Sequence, residues 1–155
     1  MERLARGSRV FIDSSVLFAG CRSERGFARD LLNRGGDGRD ELWASRYVIE
    51  ETRQNLSRKS RTADVTFLDR LVARRAVRVA MPSLALVEHV AGSIEPKDAP
   101  IVAAAITAEA SMLATYDRRH LLSQADLIRA TFGVEVLTPD EVLRRLADAD
   151  ARPTP

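Results

Sequence analysis

The stretch RVFIDSSVLF, Arg9 to Phe18, places a carboxylate between two apolar runs. Residues 10–13 are short, apolar and rich in β-forming side chains, which is typical of a buried strand. Asp13 is therefore predicted to lie at the end of this strand. Because apolar residues flank it on both sides, Asp13 is hard to explain as an ordinary surface charge, and a functional role is the first hypothesis.

Composition limits the class of protein. The chain has 155 residues, with 45% hydrophobic and 30% charged side chains, which fits one globular domain with a real core. A net charge of +2 is not that of a strongly basic nucleic-acid-binding protein. No apolar run reaches the roughly 20 residues of a membrane span, and MERLARGSR lacks the apolar region of a secretory signal. The single cysteine, Cys21, excludes an internal disulfide and favours a cytoplasmic location.

Strand-like and helix-like segments alternate along the chain. Strands are predicted over residues 10–13, 41–44, 77–81, 112–115 and 134–137. Helices are predicted over residues 26–34, 46–58 with Ser45 as cap, 63–75 with Thr62 as cap, 84–90, 98–110, 126–131 and 140–146. This alternation predicts βαβ units, and so an α/β fold with a parallel sheet covered on both faces. Residues 1–147 are expected to form a single domain, and residues 148–155 a disordered tail.

Four acidic residues lie near the predicted ends of these strands. Asp13 ends the first strand, Glu51 lies on the helix after the second, Asp98 begins the most hydrophobic helix, and Asp117 follows the fourth strand. Ligands of parallel sheets bind beyond the carboxyl ends of the strands, so several of these acids are expected to converge.

A cluster of carboxylates needs a cation or raised pKa values. Two unit charges about 4 Å apart repel by ~4 kcal/mol at an effective dielectric constant of about 20. Oxygen ligands without a supporting cysteine favour Mg²⁺ or Mn²⁺ over zinc. A divalent ion held in this way indicates hydrolysis of a phosphate ester.

Each acid also has an ordinary structural interpretation. Asp98 suits a helix N-cap, because a proline follows two residues later, and Asp117 suits a turn. Glu51 competes with its neighbour Glu50 for the role of second acid. The buried stripe of their helix is predicted to contain Val48, Ile49, Thr52 and Leu56. Glu51 lies nearer to this stripe than Glu50 does, which favours Glu51 weakly.

Taken together, these segments resemble the PIN domains, metal-dependent ribonucleases that include VapC-type toxins, over residues 9–146. VFIDSSVLFAG is similar to their first strand with its aspartate, here Asp13, and ASRYVIEETRQNL to the segment with the second acid, here Glu51. KDAPIVAAAITAEASMLATYDRRHL is the most specific segment. It has an aspartate before an alanine-rich helix, Asp98, and then a strand that ends in Thr-x-Asp, Thr115 and Asp117. VEVLTPDEVLRRL resembles the closing strand and helix.

This resemblance implies a three-layer α/β/α, Rossmann-like fold with a mainly parallel five-stranded sheet. One or two Mg²⁺ or Mn²⁺ ions would be held by Asp13, Glu51, Asp98 and Asp117. Thr115 would hold the attacking water or a neighbouring carboxylate. The phosphates of an RNA substrate would meet Lys97, Arg118 and Arg119. Family members that are toxins commonly dimerise and are inhibited by a small antitoxin, so a homodimer and an antitoxin are candidate partners.

Ser15 departs from the family pattern, which usually has asparagine at this position. A serine can still hydrogen-bond a carboxylate, so we expect a less firmly ordered site. Ser15 also argues against a haloacid-dehalogenase-type phosphatase, which needs an aspartate there.

Three further alternatives are weaker or differ in kind. The glycine cluster RGGDG, residues 34–38, follows a predicted helix, so it lacks the strand–loop–helix context of a phosphate-binding loop. Cys21, His89 and His120 lack the spacing of zinc ligands. The non-enzymatic alternative is a PIN-like scaffold that binds RNA or a protein without cutting.

Overall fold

The computed structural model describes residues 8–152 and contains a five-stranded parallel sheet. Its strands are β1 (Arg9–Ile12), β2 (Glu41–Ser45), β3 (Val77–Ala80), β4 (Met112–Ala114) and β5 (Glu135–Leu137). The strand order is β3-β2-β1-β4-β5, and every pairing is parallel. β1 is therefore the central strand, and all five carboxyl ends meet at one edge.

Helices cover both faces of this sheet. They are α1 (Ser14–Arg22), α2 (Phe27–Gly36), α3 (Arg46–Lys59), α4 (Thr62–Ala73), α5 (Leu84–Ala91), α6 (Ala99–Thr107), α7 (Ala125–Phe132) and α8 (Pro139–Ala151). Within residues 8–152, no helix is long and apolar enough to cross a membrane. α1 packs on α2, α3 and α4, whereas α6 packs on α5 and on four of the strands. Because the strand order reverses after β3, right-handed connections place these two groups on opposite faces. The predicted three-layer α/β/α fold is confirmed.

The helix α1 was missed by the sequence prediction. It begins directly after Asp13, which is its N-cap residue, so the predicted first strand extends one residue too far. Its buried side is formed by Val16, Leu17, Gly20 and Cys21. This spacing is helical, but the segment has only nine residues and starts with two serines, which weakened the signal.

The start of α4 also differs from the prediction. Thr62 is its first helical residue, and Arg61 is the N-cap. The Asp64 carboxylate accepts hydrogen bonds from the Arg61 backbone and guanidinium and from the Ser60 hydroxyl. The cap prediction was wrong by one residue: the helix already includes Thr62, and the amide of the N-cap residue Arg61 donates to the Asp64 carboxylate at the third helical position.

The C-terminal helix α8 is longer than predicted. It continues to Ala151, so residues 148–151 belong to the helix and not to a disordered tail. A salt bridge connects its last turn to α2: Arg34 Nη2 lies 2.8 Å from Asp150 Oδ2, and Arg34 Nε also binds the buried Asp40. Residues 153–155 of the predicted tail lie outside the described residues.

Ser45 caps α3 as predicted, and the cap is expected to stabilise the protein. Its Oγ accepts a hydrogen bond of 3.1 Å from the Val48 amide, and the predicted buried stripe of α3 is confirmed. Ser45→Ala should lower the free energy of unfolding by about 1 kcal/mol. The matched control is Ser57→Ala, an exposed serine on the same helix, which should cost nothing. Urea denaturation measures both, and equal effects would contradict the capping role.

Candidate active site

The carboxyl edge of the sheet holds the segments that carry the four acids. Asp13 directly follows the central strand β1, and Asp117 comes three residues after its neighbour β4. Glu51 lies on α3, which follows β2. Asp98 ends the 3-10 turn Pro96–Asp98 that leads into α6.

Asp13 is a buried carboxylate bound by two hydroxyl groups. Its side chain is almost fully buried, and its Oδ2 accepts hydrogen bonds from Thr115 Oγ1 at 2.7 Å and from Ser15 Oγ at 3.1 Å. Burial raises the pKa of Asp13, and the nearby charge of Asp117 adds to this. Hydrogen bonds from Thr115, the Ser14 amide and Ser15 oppose the rise only in part. A positive charge placed nearby would therefore favour the ionised form of Asp13.

The Thr115 hydroxyl joins two of the predicted site residues. It donates to Asp13 and accepts a hydrogen bond of 3.0 Å from the Asp117 amide. This geometry explains the Thr-x-Asp spacing, because the threonine must be two residues before the aspartate to bind its backbone. Asp13 and Asp117 are therefore held on the same side of the edge.

Ser15 makes the hydrogen bond that was expected of a serine at this position. Besides donating to Asp13, its Oγ accepts from the Tyr116 amide at 3.0 Å and lies 3.4 Å from Thr115 Oγ1. The side chain thus connects the start of α1 to the loop after β4.

Asp98 is not explained by helix capping. It occupies the N-cap position of α6, but its carboxylate makes no capping hydrogen bond. The side chain is buried and accepts instead from Gln124 Nε2 at 2.9 Å. Sequence reasoning missed Gln124, because nothing in the LLSQ segment marks it out from an ordinary polar surface residue.

Glu51 is more buried than Glu50, as the helical pattern predicted. Glu51 is half-buried, whereas Glu50 is exposed. Within residues 8–152, no group of three or more His, Cys, Asp or Glu side chains lies close enough to hold a metal ion. The structure therefore joins Asp13 to the Asp117 segment and leaves Glu51 outside the hydrogen-bonded network of described residues.

The three basic candidates are exposed around the loop that follows β4. Lys97 Nζ lies 2.9 Å from His120 Nε2, and since an ammonium group can only donate, the imidazole nitrogen accepts. The His120 amide in turn donates to Asp117 Oδ1 at 3.1 Å. Arg118 and Arg119 lie between Asp117 and His120 on this loop.

Zinc does not suit the structure. Burial raises the pKa of the Cys21 thiol to about 12, which disfavours the thiolate that a metal needs. His89 packs edge-on against Phe132, with ring centroids 6.4 Å apart.

The chemistry of the acidic edge suits a hard divalent cation. Its donors are carboxylate and hydroxyl oxygens, which Mg²⁺ and Mn²⁺ prefer. Within residues 8–152, none of the four acids is neutralised by a salt bridge.

Comparison with known families supplies the class of protein. The model of the PIN domain matches residues 9–119, which is most of the chain and includes all four acids. The chain belongs to the PIN-domain family. PIN domains are generally nucleases, and these nucleases generally use Mg²⁺ or Mn²⁺. A comparison with curated proteins found no match.

Proposed function

We propose that the protein is a metal-dependent ribonuclease that hydrolyses phosphodiester bonds of RNA at the edge containing Asp13. The observation that carries this proposal is the Thr115 hydroxyl, which holds the buried Asp13 carboxylate and the Asp117 backbone together. Membership of a family of nucleases supports the reaction class. RNA as the substrate, and the cytoplasm as its location, are part of the proposal.

The residues that would hold Mg²⁺ or Mn²⁺ are Asp13, Glu51, Asp98 and Asp117. A bound divalent ion lowers the pKa of water and stabilises negative charge on phosphate oxygens. The protein contributes orientation: Thr115 and Ser15 donate to the same oxygen of Asp13, which fixes the plane of the carboxylate. Hydrogen bonds to the charged form also favour ionisation, against the opposing effect of burial.

Binding of the RNA backbone is assigned to Lys97, Arg118 and Arg119. All three are exposed, and they adjoin Asp98 and Asp117 in sequence. Arginine binds phosphate oxygens in a bidentate manner and lysine as a point charge. Such contacts position a nucleic acid without reading its sequence.

A cleavage assay with and without metal tests the proposed function. The protein is incubated with a panel of RNAs in Mg²⁺, in Mn²⁺ and in EDTA, beside an Asp98→Asn variant. We expect cleavage by the wild-type protein with either metal, none in EDTA, and little by the variant. Equal cleavage by both proteins would indicate a contaminating nuclease. No cleavage, together with no metal binding by calorimetry, would instead support a scaffold that binds RNA or a protein without cutting.

A toxin role is a narrower proposal that rests on the resemblance to VapC-type proteins. It implies a small antitoxin partner and a homodimer. Induced expression in a bacterial host should then stop growth, and Asp98→Asn should restore growth. Normal growth with an active ribonuclease would indicate a solitary nuclease, and the elution volume in size-exclusion chromatography would decide between monomer and dimer.

Substitution of each glutamate in turn identifies the second acid. Glu51→Gln should lower the rate of RNA cleavage about 10-fold or more, because a second carboxylate would be lost from the cation site. Glu50→Gln is the matched control, since the exposed Glu50 is the adjacent residue of the same helix, and it should leave the rate unchanged. If Glu50→Gln lowers the rate of RNA cleavage more than Glu51→Gln does, Glu50 is the second acid.

A further inference from the structure

The Gln124 side chain binds three groups and joins residues 95–98 to the loop after β4. Its Nε2 donates to Asp98 Oδ2 at 2.9 Å and to the His120 carbonyl at 3.0 Å, and its Oε1 accepts from the Glu95 amide at 2.9 Å. These partners also determine the orientation of the carboxamide. If the group were rotated by 180°, its NH₂ would face the Glu95 N–H, and its oxygen would face the oxygens of Asp98 and His120. Gln124 is thus held in one orientation.

The bond from Gln124 orients Asp98 without neutralising it. Asp98 is buried, and its carboxylate makes no capping hydrogen bond to α6. A lysine or arginine in place of Gln124 would hold the carboxylate equally well but would cancel its charge. A neutral carboxamide donates one hydrogen bond and leaves the full negative charge to attract a cation.

Gln124 also couples Asp98 to Asp117. It binds the carbonyl group of His120, and the amide group of His120 binds Asp117 Oδ1 at 3.1 Å. The two carboxylates therefore depend on one short segment, residues 117–124, for their positions. A change in Gln124 is expected to move Asp98 relative to Asp117.

We propose that Gln124 is a positioning residue of the candidate site: it holds the Asp98 carboxylate in the orientation that binds a divalent cation. This inference rests on the proposed function for its relevance to catalysis. The role is indirect, since Gln124 acts through Asp98.

The test measures Mn²⁺ binding by calorimetry, with the metal alone and the full-length protein. Gln124→Met has a similar length but no donor, and it should weaken Mn²⁺ affinity about 10- to 100-fold, as is usual for groups that orient a metal ligand. In RNA cleavage it should lower kcat and leave KM nearly unchanged. The matched control is Gln54→Met, at the other glutamine of the chain, which is exposed on α3 and should bind Mn²⁺ normally.

A double-mutant cycle separates positioning from a merely structural role. In an Asp98→Asn background, Gln124→Met should cause no further loss of Mn²⁺ affinity, because the residue it orients is no longer charged. Circular dichroism checks that each variant is folded. If Gln124→Met does not fold, Gln124→Asn replaces it, with a smaller loss expected because its shorter side chain keeps the donor group.

Several results would overturn the proposal. Mn²⁺ affinity of Gln124→Met within twofold of wild type would do so, as would additive losses in the cycle. A wild-type protein that binds no Mn²⁺ would overturn it together with the cation site. If the wild-type protein binds Mn²⁺ but cuts no RNA, only the ribonuclease proposal fails, and the affinities of the Gln124 variants still decide this one.

Discussion

Asp13→Asn should reduce metal-dependent RNA cleavage by about 100-fold or more. The variant retains an oxygen that can accept the hydrogen bond from Thr115, so the surrounding loop is expected to keep its shape. It lacks the negative charge at the centre of the acidic edge, where β1 ends between its two neighbouring strands. Initial rates of cleavage of one labelled RNA in Mn²⁺ measure the effect.

The same substitution should make the metal-free protein more stable at neutral pH. Burial raises the pKa of Asp13 in the folded protein. A carboxyl group with a raised pKa contributes its full stability below the pKa of the unfolded chain and loses it as the pH rises through the folded-state pKa. Asparagine has no charge to desolvate, so Asp13→Asn should raise the free energy of unfolding by about 0.5–2 kcal/mol in EDTA at neutral pH. This gain should shrink as the pH is lowered.

A distant carboxylate provides the control for both effects. Asp148→Asn changes an exposed residue on α8, and it should alter neither the cleavage rate nor the free energy of unfolding by a measurable amount. If the Asp13→Asn variant cuts RNA at the wild-type rate, the active site lies elsewhere in the protein. Loss of both activity and stability would show that Asp13 is needed mainly for folding.

The sequence pattern predicted the sheet well because most residues of its strands are buried. Each strand is a short, mainly apolar run bounded by turn-forming or polar residues, and all five were placed to within a residue or two. The pattern does not contain the strand order. That order puts β4 beside β1, so that Thr115 binds Asp13 across 102 positions of sequence. The motif resemblance implied only that Thr115 would hold the attacking water or a neighbouring carboxylate, and it did not identify Asp13 as that carboxylate.

The rest of the site depends on features that no local pattern contains. A helical wheel gives the direction of Glu51 from the axis of α3, and it therefore separated Glu51 from Glu50. It cannot give the distance from Glu51 to Asp13, which is set by how α3 packs on α1. The partnership of Gln124 with Asp98 likewise depends on where the 3-10 turn Leu122–Gln124 lies in the folded chain.

Gly35→Ala should lower the free energy of unfolding by about 1–3 kcal/mol, although alanine is the better helix former. A Cβ atom on Gly35 would lie 2.5 Å from the carbonyl oxygen of Ala76 and 2.6 Å from Leu42 Cδ1. Ala76 directly precedes β3, and its amide is hydrogen-bonded to the Leu71 carbonyl, so its backbone cannot move without disturbing the sheet. The last turn of α2 must shift instead, which loosens its packing on β2 and β3.

The neighbouring residue Gly36 gives the opposite expectation within the same helix. A Cβ atom there meets nothing within 4 Å, and Gly36 ends α2 without a positive φ angle. Gly36→Ala should therefore raise the free energy of unfolding by about 0.4–1 kcal/mol, because alanine reduces the conformational freedom of the unfolded chain. Urea denaturation of the two variants side by side tests the packing of α2 directly, since helix propensity alone predicts a gain for both. A gain for Gly35→Ala would mean that α2 does not approach Ala76 as closely as the structure places it.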